Sequence, residues 1–235
     1  MSNSLSGIVD IVLAQNGEDA LKLVKEDMPD IVISDMMMPI MDGLKLCAAI
    51  KQNISTSHIP VIMLSAKTDS KDQMDALKSG ADDYITKPFS MAVLIAKIQN
   101  ILRTYHRVHD KATKSMEIAP EKISYNAMDE ELLKKAISIV ERNIDNSDFS
   151  TEEFASEMNM SRSNLHLKLK ALTGESALDF IRKIRFKEAC RLLKDGRYSI
   201  SEISDMVGFN TPSYFATCFK KYMGCLPTEY VKNLK

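Results

Sequence analysis

Residues 31–43 read IVISDMMMPIMDG, a short apolar run that ends on Asp35 and then breaks into a loop carrying Pro39 and Gly43. Similar β-rich runs stand at 8–14, 30–34, 60–65 and 82–86, and helical patterns lie near 18–26, 44–52, 70–78 and 91–104. This alternation predicts a parallel sheet with helices on both faces. Parallel neighbours need a crossover, and the crossover helix must bury its own apolar side. Gly17, Pro29, Pro39, Gly43, Pro60, Gly80 and Pro88 fall where turns belong. A doubly wound α/β domain is therefore expected over 1–104. A polar stretch around Pro120 is expected as a linker over 105–128, and an all-α domain over 129–235.

Functional groups in an open α/β sheet collect at the carboxyl ends of its strands. Asp35 ends one run, Ser65 ends the next in VIMLSA, and Lys87 follows the last in TKPF. A carboxylate can accept a phosphoryl group as an acyl phosphate, and a hydroxyl and an ammonium can hold the added oxygens. Asp35 alone also fits a turn-forming residue; with Ser65, Lys87–Pro88 and the GADDY stretch ending at Tyr84, the phosphoryl-accepting arrangement fits better. Asp82 and Asp83 precede the last strand, so they belong at its opposite end.

Over roughly 8–104 the sequence resembles the response-regulator receiver family, which has a flavodoxin-like fold. The resemblance implies Asp35 as phosphoacceptor, Ser65 as switch hydroxyl, Lys87 as phosphate-contacting lysine and Tyr84 as switch aromatic. It also implies a cis Lys87–Pro88 bond, and Mg²⁺ held by Asp35 and the Met37 backbone carbonyl. Receivers open with a strand that ends in a metal-binding acidic pair, followed by a first helix. Here only MSNSLSG precedes residue 8, without an acidic residue. A receiver lacking its first strand, first helix and acidic pair is therefore expected, and with it poor phosphorylation.

Charge divides the chain. Residues 161–235 hold 14 Lys and Arg against 7 Asp and Glu, a net +7, which leaves −8 for the remainder of a chain whose total is −1. An acidic half joined to a basic one fits a regulatory module attached to a polyanion binder. With 45% hydrophobic and 27% charged residues, the composition is that of a soluble globular protein. No apolar run nears the roughly 20 residues that cross a bilayer, and no signal peptide opens the chain, so a cytoplasmic location is expected. The four cysteines (Cys47, Cys190, Cys218, Cys225) form no C-x-x-C pair and read as reduced, buried residues.

The C-terminal region contains a weak internal repeat. Phe154, Ala155, Met158 and Met160 recur 49 positions later as Ile203, Ser204, Val207 and Phe209. Leu165, Leu169 and Gly174 recur 50 positions later as Phe215, Phe219 and Gly224. Each copy has helix-turn-helix layout, with Ser161 or Thr211–Pro212 opening the second helix and glycine closing it. On a helical wheel Leu165, Leu169 and Leu172 share one face, as do Phe215, Phe219 and Tyr222, and these are expected core. The opposite faces carry Ser163, Leu167 and Lys170 in one copy, and Ser213, Thr217 and Lys220 beside Ala216 in the other. An outward leucine suits contact with thymine methyls in a major groove. Between the copies a long helical pattern over 177–193 carries Arg182, Lys183, Arg185, Lys187 and Arg191. It would hold the two second helices for successive grooves, roughly 34 Å apart, with basic side chains on phosphates and some paired to Glu188 or Asp179.

Residues 129–232 resemble the AraC/XylS transcription-regulator family through MSRSNLHLKLKALTGES, FIRKIRFKEACRLLKD and SISEISDMVGFNTPSYFATCFKKYMGCLPTEYV. The resemblance implies that Arg162, Ser163, His166, Leu167, Ser213, Ala216 and Thr217 lie at base-reading positions. A receiver followed by such a domain resembles the output end of a hybrid two-component system. A non-enzymatic transcription regulator is expected, with double-stranded DNA and a histidine kinase, or the kinase part of a hybrid sensor, as partners. A homodimer is expected when active. Two alternatives remain open: a phosphorylation-incompetent receiver on a constitutive or inert DNA binder, and an aspartyl-phosphate hydrolase or phosphotransferase.

Overall fold

Of the residues that the computed structural model describes (10–66, 78–114, 118–124 and 126–233), three short runs form a parallel sheet. These are β1 (Val32–Asp35), β2 (Val61–Ser65) and β3 (Asp83–Thr86), in that order. Asp35 lies opposite Leu64, and Ser65 opposite Thr86, so the three strands end together. All five residues of the central β2 are buried, which explains its unbroken apolar run. Successive side chains leave a strand on opposite faces. Val61 and Met63 accordingly join Val24, Leu46, Cys47 and Ile50, from α1 (Gly17–Asp27) and α2 (Gly43–Gln52). Ile62 and Leu64 join Ile85, Leu94 and Ile98, the last two from α3 (Met91–Lys114). Both sheet faces are covered, and the flavodoxin-like α/β expectation holds.

The helix starts follow from short polar caps. The Asn16 side chain accepts from the Asp19 backbone N–H at 3.0 Å, and Asp42 accepts from Lys45 at 2.8 Å. The expected strand over 8–14 is corrected: its described part, residues 10–14, is irregular, with Val12 61% and Leu13 72% exposed. A strand is made by a hydrogen-bonded neighbour, and none pairs with 10–14 among the described residues. Most of the helical pattern near 70–78 lies outside the described residues. The Lys87–Pro88 bond is cis, as expected. The chain divides into two compact units, Met1–Val108 and His109–Lys235. Helix occupies both ends of the stretch expected as a linker: α3 runs on to Lys114, and the short α4 (Pro120–Ile123) packs on α5 (Ala127–Arg142).

The described residues of the second unit form helices joined by short turns. Its first motif is α6 (Thr151–Glu157) and α7 (Arg162–Thr173), followed by the 19-residue α8 (Ala177–Asp195). The second motif is α9 (Ile200–Met206) and α10 (Pro212–Met223), and α11 (Pro227–Lys232) closes the unit. The sequence repeat is a structural one. Ser150–Glu153 and Ser199–Glu202 form capping boxes on α6 and α9, and Gly174 and Gly224 end α7 and α10 in the left-handed conformation. The turn takes a left-handed residue in both copies, Asn159 (φ 56°) in one and Gly208 (φ 70°) in the other. A cluster of Phe186, Phe209, Phe215 and Phe219 fills the second motif and joins it to α8.

Candidate functional site

Three strand ends meet at one edge of the sheet. Lys87 Nζ makes an ion pair with Asp35 Oδ2, and both side chains remain partly open to solvent. The Met37 backbone N–H donates to the other Asp35 oxygen at 3.3 Å. Ser65 is buried at the end of β2, and its carbonyl accepts from the Lys87 backbone N–H at 2.7 Å. Gly43 lets α2 begin against this edge, because a Cβ there would stand 2.2 Å from the Asp35 carbonyl oxygen. Tyr84 is half-buried against the core beneath α1 and α2. The loop after Asp35 exposes Met37 and Ile40. Asp82 and Asp83 lie at the other end of the sheet, where Asp82 pairs with Lys51 at 2.7 Å and Asp83 with Lys97 at 2.6 Å. The edge therefore presents a solvent-reachable carboxylate with an ammonium already against it, an arrangement suited to adding and holding an anionic group.

The magnesium ion that a receiver implies has only part of a donor set here. Mg²⁺ takes hard oxygen ligands, commonly one or two carboxylates with water and phosphate. Among the described residues no three His, Cys, Asp or Glu side chains gather to hold a metal, and Asp35 is already engaged by Lys87. These residues do not make a magnesium site by themselves.

On the helical unit the wheel faces are as expected except at Tyr222, which is half-buried against the second motif's core. Leu165, Leu169, Leu172, Phe215 and Phe219 are fully buried. Arg162, Ser163, His166, Leu167 and Lys170 are exposed on α7; Ser213, Thr217 and Lys220 are exposed on α10, and Ala216 is half-buried beside them. Leu167 keeps 41% of its surface open although it is apolar. Arg162 pairs across the surface with Glu152 of α6 at 2.6 Å. Tyr214, which the sequence reading passed over, stands exposed next to Ser213, and its hydroxyl accepts from Arg182 at 2.7 Å.

Two expected phosphate contacts on α8 are corrected. Lys183 is buried and pairs with Glu175 at 2.9 Å, while Arg185 is buried and donates to backbone carbonyls. Both point inward because they fall among the core positions Ile181, Ile184 and Phe186 of a helix packed on several sides. Arg182 and Arg191 pair with Asp179 and Glu188, as expected. A buried pair also went unread. Lys168 of α7 and Asp129 of α5 are both 0% exposed and 2.7 Å apart, and Asn126 donates to the second Asp129 oxygen at 3.0 Å. The signal was present, since 165, 168, 169 and 172 follow the spacing of a buried helix face.

Residues 2–99 match the model of the response regulator receiver domain, and residues 154–233 match that of a helix-turn-helix domain. The chain is 41% identical over 230 residues to "Histidine kinase P4" of Formosa agariphila, a match covering 98% of this chain and 17% of that protein. It is 47% identical over 90 residues to "Transcriptional regulatory protein CseB" of Streptomyces coelicolor, covering 38% of this chain and 37% of that one. The chain thus spans less than half the length of either relative. Among solved structures, the C-terminal domain of AraT, a response regulator from Geobacillus stearothermophilus, is 32% identical, with 43% of this chain and 84% of that chain covered and a TM-score of 0.41. No helix among the described residues is long and apolar enough to cross a membrane. By its two family matches, the chain joins a response regulator receiver domain to an AraC-type helix-turn-helix domain.

Proposed function

We propose that the chain is a sequence-specific, DNA-binding transcription regulator of a two-component phosphorelay, controlled through Asp35. The observation that carries this reading is the duplicated helix-turn-helix motif, whose two second helices bury matching faces and leave matching faces open. Arg162, Ser163, His166 and Leu167 on α7, with Ser213, Ala216 and Thr217 on α10, are assigned to base edges in successive major grooves. Lys170 and Lys220 are assigned to phosphates. Support for the receiver half comes from the meeting of Asp35, Ser65 and Lys87 at one sheet edge. There an Asp35 oxygen attacks the phosphorus of a kinase phosphohistidine, the P–N bond breaks and the imidazole leaves with a proton from water; Lys87 and the Ser65 hydroxyl hold the oxygens of the acyl phosphate, with Tyr84 reporting the change. The likeness to a histidine kinase supports a kinase as phosphoryl source, on the same or another chain, and the reading places the protein in the cytoplasm as a homodimer when active.

The phosphoacceptor assignment is tested by the intact mass of the chain after acetyl phosphate and Mg²⁺. Slow, partial addition of one phosphoryl group, absent from Asp35→Asn, is the expected result, because the sheet edge offers few oxygen ligands to Mg²⁺. An unchanged mass would leave a DNA binder whose receiver does not take phosphate from this donor, and addition that persists in Asp35→Asn would move the acceptor elsewhere.

A further inference from the structure

Arg185 sits in the middle of α8 with 7% of its surface exposed, and no carboxylate hydrogen-bonds it among the described residues. Its two terminal nitrogens reach in different directions. Nη1 donates to the Gly208 carbonyl at 2.9 Å, in the turn that aims α10. Nη2 donates to the Asn146 carbonyl at 2.5 Å, in the loop by which the chain enters α6. The same guanidinium lies 5.9 Å from the centre of the Phe209 ring. Gly208 is seated tightly at this junction: a Cβ there would meet the Ile144 carbonyl oxygen at 2.6 Å and Arg185 Nη2 at 2.7 Å. The turn of the second motif is thus pressed against the entry loop of the first, with one side chain bonded to both.

Two residues along a helix lie about 200° apart, so Lys183 leaves α8 on the other side. It pairs at 2.9 Å with Glu175, which follows the glycine cap of α7. The Arg185 bonds therefore tie the two motifs together, the Lys183 pair anchors α8 to the segment after α7, and burial makes both costly to break.

We infer that Arg185 is a positioning residue for DNA readout, which fixes the turn of the second motif on the entry loop of the first and so sets the distance and phase between the two reading helices. This inference rests on the DNA-binding reading. It gives Arg185 an effect distinct from that of a base-contacting or phosphate-contacting side chain. Removing it should change which half-site spacing is preferred, and leave recognition of a single half-site in place. Lysine cannot substitute, because a single ammonium does not span two carbonyls in the way a planar guanidinium does.

The intact chain is used to recover duplexes from a randomised pool, and the recovered site is then rebuilt with base pairs added or removed between its two blocks. One inserted base pair turns the second block by roughly a tenth of a helical turn, and the wild type is expected to lose about tenfold in affinity. For Arg185→Lys the expected loss is less than about threefold, with affinity for a duplex carrying one block kept within about twofold. Gly208→Ala, which disturbs the same junction while keeping the arginine, should flatten the preference likewise. A folded Arg185→Lys that keeps the wild-type spacing preference overturns the inference. So does a uniform loss on one-block and two-block duplexes that follows a fall in melting temperature, since that is the mark of a structural role alone. Failure of the wild type to enrich any duplex would remove the DNA-binding reading, and this inference with it.

Discussion

Lys168 lies on α7, the helix proposed to read DNA, and yet touches no solvent, because its ammonium is spent on Asp129 inside the first motif. The pair is hydrogen-bonded by Asn126 as well, so both charges are satisfied as they stand. Removing one partner strands the other. Asp129→Ala is expected to cost about 3–5 kcal/mol in urea unfolding, while Lys168→Met combined with Asp129→Leu recovers most of that loss. A small effect of the single substitution would mean that the charges are better hydrated than the packing implies. Glu175 gives a pH-dependent counterpart. Burial pushes its carboxyl above the ordinary 4.5, against the pull of Lys183. A raised folded-state value means that the native protein binds more protons at this group. Its contribution is complete below the unfolded value and is lost as pH rises through the raised one. Thermal unfolding between about pH 4 and 7 should show wild type losing stability relative to Glu175→Gln as pH rises, and parallel curves would contradict the shift. Residue identity told much less about such partners than about burial. Lys183 and Arg185 look like phosphate contacts in the sequence, and their inward course depends on helices that pack around α8 from distant parts of the chain.

At the scale of elements, periodicity was informative where the partner is solvent or the element's own core. The wheel separated the buried and open faces of α7 and α10, and the 49- and 50-residue offsets located both motifs with their caps. Three of the four expected strands form at the carboxyl-terminal ends that bring Asp35, Ser65 and Lys87 together. The run over 8–14 has the same composition, but its described residues form no strand, because pairing is a non-local property that composition does not encode. The face assignment on α7 has its own consequence. Lys170→Ala should weaken binding to all duplexes by a similar factor and lower the salt slope by about 1, whereas Leu167→Arg should alter the preferred sequence. Salt-titrated binding of both variants to one set of duplexes distinguishes the two effects, and unaltered binding in both would remove this face from the interface.

At the scale of the whole molecule the two units differ little in net charge: Met1–Val108 holds 11 Lys and Arg against 13 Asp and Glu (−2), and in His109–Lys235 the −6 of residues 109–160 offsets most of the +7 that follows. The +7 of residues 161–235 sits in the unit with the duplicated motif, and the sheet edge with Asp35 and Lys87 sits in the other unit. The division into two units was legible from the pattern, strands alternating with helices giving way to helices alone, whereas the charge break at 160/161 falls inside the second unit. The junction at Arg185 and the buried pair at Lys168 were not, since each depends on backbone carbonyls or side chains brought in from afar. Sequence-specific DNA binding by two helices held in fixed relation is the centre of this account, and it is tested most directly by selecting duplexes from randomised DNA with the intact chain. The expected product is a site of two short blocks about 10 base pairs apart, one of which changes its preferred sequence in Leu167→Arg and the other in Thr217→Arg. A pool that remains random after repeated selection at low salt would contradict the account.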